Sequence, residues 1–454
     1  MDVKDKHVLV VGLGKSGVAS ALFLKDHGAR VTVSDTKSPD QLREEIPLLL
    51  DHGIAVETGG HGERTFRGQD LIVVSPGVPV DAPTLVQARA SGEPVIGEIE
   101  LAAQYLPGPI VAITGSNGKT TTTSLAGDII TAGGFPTLVG GNIGTPAISL
   151  VERATSETVV VLEISSFQLE TIQTFRPKVA VVLNITPDHL DRHRTFQTYV
   201  DAKARIFENQ QPSDYAVLNE DDPTCLTLGD RTYAQVFWFS RKKEVKRGAY
   251  LRDGQILFRD GAGQRQIMLV SEISLKGAHN LENVLAAICT GTLMGVPPEQ
   301  IRKAVRDFKA VEHRLEYVAT IKGVEYYDDS KATNVDATIK ALESFPANIH
   351  LILGGKDKGS DYTVLNDLLR QRVKRVYTIG AAAEKIEAHI KGAAEIVHAE
   401  TLDNAIRRAS AVAQPGDIVL LAPACASFDQ FQSYNHRGRV FKDAVKDLAQ
   451  QSKD

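Results

Sequence analysis

Several short stretches carry side chains able to move a phosphate or hold a metal. Thr114-Gly115-Ser116-Asn117-Gly118-Lys119-Thr120-Thr121 contains Gly-Lys-Thr behind an apolar run. Glycines let backbone N–H groups close around phosphate oxygens, the lysine meets the outer phosphates, and the next hydroxyl binds Mg²⁺. The spacing departs from the Walker pattern, because Ile113 stands where its first glycine belongs. Gly12-Leu13-Gly14-Lys15-Ser16-Gly17 is a second glycine-rich turn, with Asp35 ending the next apolar run. It suits the diphosphate of NAD or of a uridine-linked sugar, and a plain strand-to-helix turn would read alike. Glu163 closes "TVVVLE", and Asp188, His189 and Asp191 follow "VAVVLNIT". Carboxylate and hydroxyl oxygens suit Mg²⁺, and there is no HExxH for zinc.

Three later stretches add charge. "YYDDSKATN" holds Asp328, Asp329, Ser330 and Lys331, and "GGKDKGSD" holds two lysines. Two cationic turns at strand ends make a pocket for an anionic acceptor. "PACASFDQFQSYNHRG" contains Cys425, with no recognisable base beside it. Lys203 in "YVDAKARIFEN" reads by composition as an exposed helix lysine.

These residues must be placed by an alternating pattern of strands and helices. "HVLVVG", "SGVASALFLKDHG" and "RVTVSD" read as strand, helix and strand, the helix ending at Gly28. "DLIVVSPGV" is another strand. Pro107-Gly108-Pro109 marks a linker, and apolar runs separated by helical segments resume after it, as in a parallel sheet covered on both faces. "QVFWFS", "GAYLRDGQILFR" and "RQIMLVSEI" read as an antiparallel insertion over about 230–275. "HNLENVLAAICTGTLMG" is a helix ending at Gly295, and the α/β rhythm then returns. The fold class expected is α/β in three domains. These are a Rossmann-like domain over 1–98, a central P-loop ATPase domain with a mostly parallel sheet over 99–309, and a C-terminal Rossmann-like domain over 310–454.

Composition bounds the function. The 454 residues are 43% hydrophobic with a net charge of −5, which excludes a basic nucleic-acid footprint. No stretch reaches the roughly 18 apolar residues of a membrane span. The three cysteines are far apart, which fits a reducing, cytoplasmic setting.

"ITGSNGKTTT", "LEISSFQLE", "LNITPDHLDRH", "GAHNLENVLAA", "EHRLE", "DDSKATN" and "PACASFDQF", in this order, resemble the Mur ligases. The resemblance covers essentially the whole chain, although its middle motifs are shared with folylpolyglutamate synthetases. It implies a monomeric ATP-dependent ligase of peptidoglycan precursor synthesis that works through an acyl phosphate. The first and last loops favour the member that adds D-glutamate to UDP-N-acetylmuramoyl-L-alanine over a sister ligase, while a nicotinamide dehydrogenase would account for the first loop and Asp35 but leave the P-loop and the Glu163/His189 cluster idle. Ala422, before the proline of the last loop, is a minor departure.

The resemblance also implies site residues. ATP would be held by Gly115, Ser116, Asn117, Gly118, Lys119, Thr120 and Thr121, with Asn280, Asn283, Arg314, Asp329 and Lys331. The UDP-sugar would lie on Gly14, Lys15, Ser16, Asp35, Thr36, Lys37, Gly77, Asn142 and Gln168. D-glutamate would meet Thr333, Lys358, Ser427, Phe428 and Tyr434. Two Mg²⁺ sites are implied, one on Thr120 and Glu163 and one on His189 and Lys203. Lys203 would carry a CO₂-derived carbamate, because an ammonium cannot ligate a cation. Lys119, Glu163, His189 and Lys203 would be catalytic.

Overall fold

A computed structural model describes residues 1–273, 275, 277–309 and 312–451. Among them, 20 strands form three sheets. The first holds β1 (His7–Val11), β2 (Arg30–Ser34), β3 (Ala55–Glu57), β4 (Leu71–Val74) and β5 (Val95–Gly97), in the order β3-β2-β1-β4-β5. All its pairings are parallel. Strands covered on both faces must be apolar throughout, and Val8–Val11 and Leu71–Val74 are buried without interruption. Chain order reverses between β1 and β4, the kind of switch point where a ligand crevice opens beyond the strand ends.

The second sheet holds β6 (Ile110–Thr114), β7 (Thr137–Gly141), β8 (Val159–Glu163), β9 (Val179–Val182) and β10 (Tyr215–Asn219). It continues with β11 (Gln235–Ser240), β12 (Gly248–Arg252), β13 (Gln255–Asp260) and β14 (Gly263–Leu269). β6 lies between β8 and β9, with Ile113 opposite Glu163 and Thr114 opposite Val182. The segments following these three strands therefore leave one rim of the sheet. The antiparallel insertion expected over 230–275 is only partly present. β11 pairs parallel with β10 through a crossover containing the helix Pro223–Leu228, and β12 pairs parallel with β11. Antiparallel pairing is confined to β12, β13 and β14. The β12–β13 turn puts Asp253 and Gly254 at φ 50° and 73°, the backbone that an Asp-Gly hairpin turn adopts.

The third sheet holds β15 (Glu316–Ile321), β16 (Val324–Asp328), β17 (Ile349–Gly354), β18 (Val373–Ile379), β19 (Glu395–Glu400) and β20 (Ile418–Leu421). Its order is β15-β16-β20-β17-β18-β19, parallel except for the edge pair β15–β16. Leu421 lies opposite both Asp328 and Ile352, so the loops after β16, β20 and β17 also share a rim. Buried residues on the two faces of this sheet form separate apolar clusters, around Leu351 and Leu420 and around Ile352 and Val419.

The first two sheets cluster as one compact unit. The third sheet, with Thr186–Phe196, belongs to a second. The domain cut expected at 310 falls on Ala310, outside the described residues. Among the described residues, no helix is long and apolar enough to cross a membrane.

Candidate nucleotide and acceptor sites

The loop after β6 turns on Gly115 (φ 150°) and Gly118 (φ 85°) and opens into the helix Lys119–Ala132. Asn184 clasps the loop. Its carbonyl accepts the Ser116 N–H at 2.9 Å, and its side chain accepts the Asn117 N–H at 2.8 Å and donates to the Asn117 carbonyl at 3.1 Å. Lys119 Nζ donates to the carbonyls of Gly115 (2.8 Å) and Ser116 (3.0 Å), which keeps its charge at the phosphate-sized turn. Thr120 Oγ1 donates to Glu163 Oε2 at 2.7 Å, and both residues are buried. A hydroxyl and a carboxylate meeting at a helix N-terminus are a fitting oxygen donor pair for Mg²⁺. Thr121 is buried in the same turn. Asn283 lies against the loop, since a Cβ on Gly118 would come within 2.1 Å of its Oδ1.

Lys203 is not the exposed lysine its composition suggests. It is 1% exposed, and Nζ donates to Gly115 O at 2.9 Å and Thr114 Oγ1 at 3.3 Å, over the Tyr199 ring. The helix Phe196–Ala204 turns this face inward, and a sequence window of mixed polarity hides that.

The glycine turn after β1 divides its work three ways. Gly12 takes φ 90°, and a Cβ on Gly17 would lie 1.8 Å from Gly12 O, so helix and strand pack too closely for any side chain. A Cβ on Gly14 would meet nothing within 4 Å, which leaves its face open to a ligand. Each Asp35 oxygen accepts one backbone N–H, from Leu13 (2.6 Å) and Lys37 (2.8 Å), so this carboxylate braces two loops. A cavity of about 380 Å³ joins Gly14, Lys15, Ser16, Asp35, Thr36, Lys37 and Gly77, the seven residues of 1–98 that the resemblance assigns to the UDP-sugar. His61 and Ser75 line it as well, and the sequence reading missed both. Ser75 Oγ donates to Gly12 O at 2.7 Å, and burial lowers the pKa of His61. Asn142 and Gln168 are placed elsewhere. Asn142 Nδ2 donates to Glu163 Oε1 at 2.8 Å, and Gln168 Oε1 accepts the Ser165 N–H at 2.9 Å. A larger cavity of about 970 Å³ runs along the helix Lys15–Asp26 past Leu22, Phe23 and Ile148, and shares only Gly14 and Lys15 with the smaller one.

In the second unit, His189 takes φ 54°, a strained backbone of the kind found at functional sites. Its neighbour Asp188 accepts from Asn334 Nδ2 at 2.9 Å and pairs with Lys358 Nζ at 3.4 Å. Arg314 lies 3.7 Å from Asp329, whose carboxyl is pushed up to about 6 by burial, against the pull of the guanidinium. Lys331 Nζ lies 5.2 Å from the centre of the Tyr434 ring, and the Thr333 N–H donates to Lys331 O. Ser427 is buried and Phe428 is 68% exposed. Asn280 is buried near the start of the helix Ala278–Leu293, beside a neutral His279 whose pKa burial lowers to about 3. Arg437 was also missed. Fully buried, it donates to Ser330 Oγ (3.0 Å), Ser330 O (2.9 Å) and Cys425 O (3.1 Å), tying the loop after β16 to the loop after β20. Its position in a helix full of lysines and arginines gives no sequence signal.

Three family models match in the order of the sheets. They are the Mur ligase MurD-like N-terminal domain over 6–97, the Mur ligase middle domain over 113–291, and the Mur ligase glutamate ligase domain over 313–425. A UDP-N-acetylmuramoylalanine–D-glutamate ligase of Koribacter versatilis is 69% identical over the full length of both chains. The chain belongs to the Mur ligase family. A ligase of the same name from Acidobacterium capsulatum is 60% identical over 98% of this Mur ligase and 97% of its own length. The solved UDP-N-acetylmuramate–alanine ligase of Thermotoga maritima shares the fold, with a TM-score of 0.60 at 20% identity over 97% of this chain and 99% of its own. The α/β class expected from the strand rhythm is the class of this Mur ligase.

Proposed function

We propose that this Mur ligase joins the amine of D-glutamate to the alanine carboxylate of UDP-N-acetylmuramoyl-L-alanine, with ATP consumed to ADP and phosphate, in cytoplasmic peptidoglycan precursor synthesis. The observation that carries the reading is the full-length, 69% identical relative of that name. The glycine-turn cavity supports it as a grip for a sugar nucleotide, and the Lys119 loop with the adjoining Thr120–Glu163 pair supports it as a place for ATP and its Mg²⁺.

The alanine carboxylate attacks the γ-phosphorus, the bond to the β-phosphate oxygen breaks, and ADP leaves. The D-glutamate amine then attacks the acyl carbon, phosphate leaves, and the amine gives up a proton. Bringing a carboxylate to about 4 Å from a phosphoryl charge costs about 4 kcal/mol at an effective dielectric near 20. Lys119 offsets that charge. Mg²⁺ held by Thr120 and Glu163 would neutralise more of it. Asn280, Asn283, Arg314, Asp329 and Lys331 are assigned to ATP. Thr333, Lys358, Ser427, Phe428 and Tyr434 are assigned to D-glutamate. Lys203 is assigned a carbamate that, with His189, would hold a second Mg²⁺. Domain limits at 98 and 310 complete the assignment.

Phosphate release with ATP, Mg²⁺ and the muramyl nucleotide, against a panel of D- and L-amino acids, tests the reading. D-glutamate should be the acceptor that drives turnover, and turnover with another amino acid alone would overturn it. Lys203→Ala should lose at least about 100-fold in kcat. Part of that loss should return with added short-chain carboxylates if the carbamate assignment holds.

A further inference from the structure

Lys358, assigned above to an acceptor carboxylate, sits in a loop whose anchoring changes partway along, and the inference rests on that assignment. The first residues are fixed through backbone. Gly354 N–H donates to Pro423 O at 2.9 Å and Gly355 N–H to Ile379 O at 3.1 Å, and Lys356 exchanges two bonds with Ala426 at 2.8 and 3.1 Å. A Cβ on Gly355 would lie 2.3 Å from Ala426 O, so this approach is closed to other residues.

From Asp357 onward the backbone supplies no such ties. Among the described residues, no backbone–backbone hydrogen bond holds 357–361. The Asp357 carboxylate takes their place. Oδ1 accepts the Tyr362 hydroxyl at 2.7 Å and the Ser360 N–H at 3.1 Å, and Oδ2 accepts Lys385 Nζ at 2.7 Å. Tyr362 is fully buried and touches Cys425 Sγ at 3.0 Å, so the anchor is set in the core. Lys358 lies between this anchor and Gly359, which takes φ 80° and where an added Cβ would meet nothing within 4 Å. Lys385 also neutralises Asp357, whose bare charge beside Lys358 would repel an anionic acceptor.

We propose that Asp357 is a positioning residue for acceptor binding, fixing the reach of Lys358 through Tyr362 and Lys385. It has no part in phosphoryl transfer, so its loss should weaken acceptor binding selectively.

The test is steady-state phosphate release by the full chain carrying Asp357→Asn, Tyr362→Phe or Lys385→Met. Thermal unfolding checks the fold of each. Each variant should raise KM for D-glutamate, by about tenfold for Asp357→Asn, the scale of one lost charge-assisted bond. kcat and KM for ATP and the muramyl nucleotide should stay within about threefold. Lys385→Arg should restore most of the acceptor KM. Folded variants with an unchanged acceptor KM, or with kcat and every KM altered together, overturn the proposal. If Asp357→Asn does not fold, Tyr362→Phe and Lys385→Met decide it, since one removes a single oxygen and the other a partly exposed amine. If the wild type turns over with another amino acid, the functional reading fails, and the positioning role is judged on that amino acid's KM. If no amino acid supports turnover, both fall.

Discussion

Glu98 shows how burial sets the chemistry of a single side chain. It is 1% exposed, and burial pushes its carboxyl from 4.5 up to about 7, although the Ile148 N–H donates to it at 2.8 Å. The folded state thus keeps a proton that the unfolded chain releases, and stability falls as pH rises from about 4.5 through about 7. Glu98→Gln keeps an acceptor for Ile148 and cannot ionise. It should raise the thermal midpoint at pH 8 and leave it unchanged near pH 4, as a calorimetric pH series would report. Asp329 carries a raised carboxyl of the same origin, near 6. Below that pH it is neutral and Arg314 loses a counter-ion. Activity should fall as pH drops through about 6, and Asp329→Asn should give a lower profile without that limb.

Elements place these residues through register. Parallel pairing of β6 with β8 and β9 gathers the phosphate loop, Glu163 and Asn184. Pairing of β20 with β16 and β17 gathers the three charged loops of the third sheet. The strand-to-helix turn after β1 separates a ligand role from a packing role within four residues. Gly14→Ala should leave the urea midpoint unchanged and raise KM for the muramyl nucleotide. Gly17→Ala forces a Cβ into the Gly12 carbonyl and should cost about 1–3 kcal/mol in the same unfolding measurement. The hairpin β12–β13 was legible because Asp253-Gly254 demands left-handed backbone. β11 was misassigned because alternation in "QVFWFS" suits either pairing direction, and only the crossover helix Pro223–Leu228 decides.

For the whole molecule, the proposed ligation makes a prediction that follows atoms. With ¹⁸O in both alanine carboxylate oxygens, one label should appear in the released phosphate and one should remain in the amide. Mass spectrometry showing unlabelled phosphate would exclude the acyl phosphate. The α/β class, the two glycine-rich turns and the family were readable from the amino acids, because glycines and a Gly-Lys-Thr turn express local backbone needs that few other residues meet. Tertiary structure alone decided which side chains are buried and what they touch. Lys203, Arg437 and His61 look ordinary in sequence, since burial of a charged or polar group depends on neighbours far along the chain. Asp35 stood out in the sequence as the acid ending the second strand, but its long-range partner Leu13 did not. Leu13 reaches Asp35, and Asn142 reaches Glu163, because β1 pairs with β2 and β7 with β8, and a register brings together residues that no local sequence window contains.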